Sequence, residues 1–210
     1  MSVETVVGKE VTIYFDSSKC IHSRHCVLDR PDVFVPNVKG DWIFPDRATP
    51  AEIAMIAYNC PSGAIRFEAK DTSLNEKAPL VNTIRIRENG PLAVHAIITI
   101  LGKSAGYRAT LCRCGNSQNK PFCDGAHATS GFIATGEVAV KPSQPLEKRD
   151  GTLAIEPLVN GPLMVKGNQE VVTGTGKTVN RDVETHLCRC GHSQNKPYCD
   201  GSHIKVGFKS

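Results

Sequence analysis

Aromatic side chains are scarce in this chain: seven Phe, four Tyr and one Trp make up 6% of 210 residues, and only 40% of the whole is hydrophobic. One extensive core is therefore not expected, and two or three small modules are. Long apolar runs are missing too. The best, AVHAIITILG from Ala93, is shorter than the ~20 residues a spanning helix needs and is followed by Lys103, so no membrane association is expected. The formal charge is a modest +4, with basic residues scattered rather than gathered into arms, which argues against nucleic acid as a partner. Nucleotide fingerprints and nucleophile elbows are absent, and Gly174-Thr175-Gly176-Lys177 lacks the spacing of a phosphate-binding loop. The chain is thus expected not to be an enzyme. No secretory leader is visible ahead of the cysteines, which number nine, an odd count; disulfides are not expected, and a cytoplasmic location is.

What the chain does have is a sixteen-residue stretch that occurs twice. CRCGNSQNKPFCDGAH, Cys112 to His127, returns as CRCGHSQNKPYCDGSH, Cys188 to His203, with thirteen of sixteen positions identical. The exceptions are Asn116 against His192, Phe122 against Tyr198 and Ala126 against Ser202. Each copy brings three cysteines and one histidine into a segment too short to spend them on disulfides, and such a set of soft ligands points to metal. Cys112 and Cys114 can face one metal if the backbone kinks at Gly115. Cys123 and His127, four apart, would share a face of a first helical turn. Pro121 fixes one backbone angle, Gly125 allows close approach, and Asp124 suits a helix N-cap. The ligand set by itself also admits zinc.

Both copies resemble the CDGSH iron-sulfur domain of the NEET proteins. The resemblance implies one 2Fe-2S cluster in each copy, held by Cys112, Cys114, Cys123 and His127 and by Cys188, Cys190, Cys199 and His203. Ala126 departs from the signature's Ser. It removes a hydroxyl that would bond a cluster sulfur, so the two potentials are expected to differ. Arg113, Lys120, Arg189 and Lys196 sit within the motifs, where they would offset a cluster's negative charge or meet an acidic redox partner.

The N-terminal third reads differently. Val11 to Phe15 alternates as a strand, the loop CIHSRHC places Cys20 and Cys26 around His22, Ser23 and His25, and a helix follows, capped by Thr49 and Pro50. Cys60 then stands in a Cys-Pro pair. This order resembles a divergent single-cluster bacterial ferredoxin in which Ser23 replaces the middle cysteine. The resemblance implies a 3Fe-4S cluster on Cys20, Cys26 and Cys60, or a 4Fe-4S cluster with Ser23, His22 or His25 as fourth ligand. The alternative is a domain that has lost its cluster and persists as a packing module.

Asp71 to Pro79 reads as a linker, and Lys141 to Gly151 as another. Between them, strands are expected around Ile84 and Ile86 and over Leu92 to Leu101, with a turn at Glu88 to Pro91 and a polar bridge from Gly102 to Gly106. Asn160-Gly161-Pro162-Leu163 repeats Asn89-Gly90-Pro91-Leu92, so the duplicated unit is larger than its cysteine motif. His95 and His186 fall in strand patterns, and each repeat ends in an apolar finish, Gly131-Phe132-Ile133 and Gly207-Phe208. The expected fold is α+β: a ferredoxin-like domain over 1–70 and two β-rich repeats over 80–140 and 150–210. Single-motif relatives pair as homodimers, which implies that these repeats pair within one chain, giving a monomer with an internal pseudo-twofold axis.

Three functions remain open. The first is electron transfer to a redox partner protein. The second is cluster donation to an apo-acceptor, or redox and pH sensing through an acid-labile histidine ligand. The third is a zinc-stabilised binding module.

Overall fold

A computed structural model describes residues 3–210, so the first two residues of the 1–70 domain lie outside the described part. The chain divides into two compact units, residues 1–77 and 78–210.

In the first unit β1 (Glu4–Val7), β2 (Val11–Phe15) and β3 (Ile65–Ala69) form an antiparallel sheet in that order. The sequence pattern indicated β2 alone; β1 is exposed along most of its length and so carries no alternation to read. The helix α2 (Pro50–Asn59) starts as expected. Thr49 Oγ1 accepts the Glu52 amide, Glu52 returns a carboxylate to the Thr49 amide, and Pro50 fills the first helical position. Its buried face, Ile53, Ala54, Ile56 and Ala57, packs with Ile13, Phe34 and Ile65. A short helix, α1 (His25–Asp29), interrupts the cysteine loop.

The second unit holds one six-stranded sheet made by both repeats. The first contributes β4 (Thr83–Ile86), β5 (Leu92–Ile100) and β6 (Lys103–Leu111), the second β7 (Thr152–Pro157), β8 (Leu163–Val172) and β9 (Thr178–Leu187). Within each repeat the strands run antiparallel. Between repeats β4 lies parallel to β8, Ile84 opposite Val171, and β5 lies parallel to β7, Ile98 opposite Leu153. One core results, in which Ile84, Leu92 and Leu111 of one repeat and Ile155, Leu163 and Leu187 of the other are fully buried. The scarcity of aromatics is met by pooling aliphatic faces rather than by closing a core within each repeat.

Several local expectations are corrected. The stretch from Gly102 to Gly106 is not a bridge: Leu101 and Gly102, at φ 50° and 74°, form a two-residue turn, and β6 is already running at Lys103. Cys123 and His127 do not share a helical turn, because Gly125 at φ 88° breaks the chain between them; only Ala126–Ala128 coils, as a 3-10 turn. In the second repeat the corresponding helix α3 (Ser202–Lys205) starts after Gly201 at φ 83°. Ile133 does not pack back, being 84% exposed. Among the described residues no helix is long and apolar enough to cross a membrane.

Candidate metal centres

In both repeats the cysteine loop is pinched shut at its base by the strand that delivers it. The amide of Cys112, following β6, donates to the Pro121 carbonyl at 2.8 Å, and that of Cys123 to the Thr110 carbonyl at 2.9 Å. The second repeat duplicates this with Cys188 to Pro197 at 2.7 Å and Cys199 to His186 at 2.9 Å. First and third cysteines are thereby brought side by side at a strand end.

Side chains that were not read as functional hold the rest of the loop. Ser117 donates its hydroxyl to the Phe122 carbonyl at 2.7 Å and accepts the Asn119 amide at 3.0 Å. Asp124 is not a helix N-cap. Its carboxylate spans the loop, accepting Gln118 N at 2.7 Å and Ala126 N at 3.0 Å. Ser193 and Asp200 repeat every one of these contacts. The signal was present in the sequence: these residues are identical in both copies without being ligands.

The four candidate ligands of each repeat come together as two pairs. Cys112 Sγ lies 3.8 Å from Cys114 Sγ, and Cys123 Sγ 3.3 Å from His127 Nδ1. The second repeat gives 3.7 Å for Cys188 and Cys190 and 3.4 Å for Cys199 and His203. Two metal-sulfur bonds of about 2.3 Å at a tetrahedral angle separate their sulfurs by about 3.8 Å, and one such bond with a metal-nitrogen bond of about 2.0 Å separates S from N by about 3.5 Å. The pairs fit two ligands to a metal. Among the described residues no three such side chains converge on the position of a single ion.

Backbone amides point at the sulfurs: Asn116 N to Cys114 and Gly125 N to Cys123, both at 3.4 Å, matched by His192 N to Cys190 at 3.5 Å and Gly201 N to Cys199 at 3.4 Å. The Cys114 thiol beside it draws Cys112 down to about 6, and Cys114 is pushed up in turn by the same neighbour. Burial pushes Cys123 up to about 11. Cys114 and Cys123 are thus held as thiols until a cation takes the proton's place, while Cys112 is the first to give its proton up. Burial, aided by Arg113 and Arg87 and opposed by Asp124, lowers His127 and so favours the neutral imidazole a metal needs.

The basic residues of the motif serve the loops. Arg113, 1% exposed, donates to the carbonyls of Gly90, Thr135, Arg87 and Ala134. Burial lowers its guanidinium to about 10. Arg189 donates to Gly161 and Leu158. Lys120 and Lys196 each give their ammonium to the carbonyl of the motif serine, at 2.6 Å. The two arginines are too buried to meet a partner, as the sequence reading allowed. Phe132 and Phe208 lie over them, ring centroids 5.4 and 5.5 Å away. The Ser202 hydroxyl beside it, with the amides of Gln194 and Ser202, holds the Asp200 carboxyl well below the usual range. His95 and His186 lie on exposed strand positions, and His192 is exposed with Nδ1 2.8 Å from the Cys190 carbonyl.

In the first unit Cys20, Cys26 and Cys60 all border one cavity of about 540 Å³, together with His22, Ser23 and His25. Cys20 follows a 3-10 turn after β2, Cys26 sits on α1, and Cys60 caps α2. Burial raises Cys20, and raises Cys26 to about 11. His22 and Arg24, at φ 53° and 66°, bend the loop around the cavity, and His22 N donates to Cys20 Sγ at 3.4 Å. Ser62, which the sequence reading missed, places its hydroxyl 3.6 Å from Cys60 Sγ.

Comparison with known proteins agrees with both motif readings. A family model described as "Iron-binding zinc finger CDGSH type" matches residues 89–128 and 160–204, and one described as "Divergent 4Fe-4S mono-cluster" matches residues 6–70. "Uncharacterized protein YjdI" of Escherichia coli K12 is 34% identical over 64 residues, 30% of this chain and 82% of that protein. "CDGSH iron-sulfur domain-containing protein 1" is 34% identical in Mus musculus and 35% in Rattus norvegicus, over 92 residues that make up 43% of this chain and 73% of each relative.

Proposed function

This chain belongs to the CDGSH iron-sulfur family, and on that premise we propose that it is an electron-transfer protein carrying two 2Fe-2S clusters and a third cluster in its N-terminal unit. Cys112 and Cys114 hold one iron of the first cluster, Cys123 and His127 the other; Cys188, Cys190, Cys199 and His203 do the same in the second. The observation that carries this reading is the arrangement of donors as two pairs per repeat, with no three around one position. A dinuclear cluster asks for two ligands at each metal, whereas a lone zinc ion asks for four at one.

Such clusters, when bound, pass one electron at a time, at a potential raised by the neutral imidazole ligand. The chain's own part is to fix the thiolates through the pinched loop, aim amides at them and keep water from five of the six motif cysteines. The repeats act as an intramolecular pseudo-dimer, a reading supported by the reciprocal parallel pairings of β4 with β8 and β5 with β7. Cys20, Cys26 and Cys60 hold a 4Fe-4S cluster whose fourth ligand comes from His22, Ser23 or His25. We read the chain as a carrier, not an enzyme, in a compartment that keeps thiols reduced.

The test is iron and sulfide per chain with optical and spin-resonance spectra. About eight irons per chain fit the proposal, and about four remove the N-terminal cluster. Colourless protein with stoichiometric zinc overturns it. A second reading, cluster donation to an apo-acceptor, is favoured by the imidazole in each ligand set, since protons compete for it. Mixing oxidised holoprotein with an apo-ferredoxin separates the two: the acceptor either gains a cluster or does not.

A further inference from the structure

Cys60, which caps α2, also opens a tight turn. Gly63 N donates to the Cys60 carbonyl at 3.3 Å, Pro61 fixes the first corner, and Gly63 takes the left-handed conformation, φ 66°, that leads the chain on to β3. The turn folds Ser62 back beside the cysteine. Its hydroxyl lies 3.6 Å from Cys60 Sγ, a separation that suits a hydrogen bond to the larger sulfur atom, and the two residues are only 3% and 8% exposed. Both border the cavity that Cys20 and Cys26 line.

The rest of the turn decides which atom donates. Ser62 Oγ accepts the Ala64 amide at 3.3 Å, so a lone pair is occupied and the hydroxyl proton is left for the sulfur. A thiolate bound to iron has no proton of its own and can only accept. Ser62 is also placed wrongly for a fourth ligand: a 4Fe-4S cluster takes one protein donor at each iron, and a hydroxyl this near the Cys60 sulfur sits at the corner that Cys60 already holds. Cys20 is served differently, by the His22 amide at 3.4 Å, and the sulfurs of the repeats likewise receive backbone amides. At Cys60 the donor is a side chain.

We propose that Ser62 tunes the N-terminal cluster, raising its reduction potential by donating its hydroxyl to the Cys60 thiolate. The inference rests on the reading above that Cys20, Cys26 and Cys60 hold a cluster, and it gives a residue outside the ligand set a part in that site. When an electron arrives from the redox partner protein, the thiolates gain negative charge; the Ser62 hydrogen bond strengthens with that charge and so favours the reduced state. The proton stays on Ser62, and no bond is broken. Burial of both residues sharpens the effect, because little water competes for the sulfur.

Redox titration of the holoprotein tests it, followed by spin resonance so that the N-terminal signal is read apart from those of the repeats. Ser62→Ala should weaken reduction of the N-terminal cluster by about tenfold, a midpoint lower by ~59 mV for a one-electron couple, and leave the couples of the repeats where they are. Ser62→Thr, which keeps the hydroxyl, should hold the wild-type value. Ser17→Ala, at another serine bordering the same cavity, should move none of them. An unmoved midpoint in Ser62→Ala, an equal shift in Ser17→Ala, or a shift that Ser62→Thr shares overturns the proposal. Iron and sulfide per chain are measured throughout. Loss of the N-terminal irons from Ser62→Ala assigns the hydroxyl to holding the turn through the Ala64 amide, and likewise overturns it. A wild-type chain with only about four irons fails the reading beneath, whereas about eight irons with an unmoved midpoint fails this inference alone.

Discussion

Gly115 abuts the carbonyl of Cys190 so closely that any Cβ on it would collide with that oxygen, and Gly191 stands in the same relation to the carbonyl of Cys114. Both glycines are left-handed, at φ 83° and 84°. The two cysteine loops therefore meet backbone to backbone, and each supplies the glycine the other requires. Gly115→Ala is expected to lower the stability of the 78–210 unit by at least about 2 kcal/mol, combining left-handed strain with the clash. Gly102→Ala, strained at φ 74° but with open space around it, should lose only about 1 kcal/mol. Thermal melts of both variants decide whether the loops support one another.

Arg113 and Arg189 occupy equivalent places but are bonded unequally, to four carbonyls and to two. Lysine keeps the charge and cannot reproduce the fork. Arg113→Lys should therefore cost about 2–4 kcal/mol and Arg189→Lys about half of that. Denaturant unfolding that ranks them the other way would show that carbonyl bonding is not what these residues supply.

Glu170, 1% exposed on β8, receives Arg149 Nε at 2.6 Å and the Thr178 hydroxyl at 3.0 Å, with Arg181 at 3.6 Å. Burial raises its pKa, but these partners outweigh burial and leave it below the ordinary carboxylate value. A group depressed in the folded state lends stability above the unfolded pKa and loses it as pH falls through the folded one. Glu170→Gln should cost about 1–3 kcal/mol at neutral pH, and the difference from wild type should shrink as pH falls below the ordinary carboxylate range. A difference that does not change with pH would contradict this.

His127 and His203 are expected to make the two clusters acid labile, because protons compete for Nδ1 as pH falls through the imidazole range. Burial lowers His127, so its neutral form persists further into acid and loss there begins below the ordinary value. Replacing both with Cys should abolish the loss of visible absorbance between about pH 7 and 5. Decay of the double variant at the wild-type rate would sink histidine control.

Cys60→Ser should remove about four irons per chain and leave the four of the repeats in place, because the site it serves lies wholly within residues 1–77. Iron analysis reads this directly. A full complement in the variant would mean that Cys60 is no ligand.

The candidate ligands were legible because donor chemistry is local: Cys112 to His127 and Cys188 to His203 display donor type and spacing within sixteen residues, twice. The cap of α2 was legible for the same reason, Thr49, Pro50 and Glu52 being near neighbours. The helical turn expected from Cys123 to His127 was misread because spacing alone does not reveal that Gly125 is left-handed. The roles of Arg113, Asp124 and Ser117 escaped because their partners are backbone atoms, which have no letter of their own.

By itself, then, the sequence showed the candidate donor sets, the duplication and a ferredoxin-like stretch ahead of two repeats. Tertiary structure alone decided that β4 and β8, and β5 and β7, would share one sheet, and that Cys199 and not Cys123 would face a groove. The difference is one of range. Ligand spacing depends on residues a few bonds apart, whereas parallel pairing and exposure depend on which distant apolar faces find one another, and two motifs alike in thirteen of sixteen positions cannot encode that their surroundings differ.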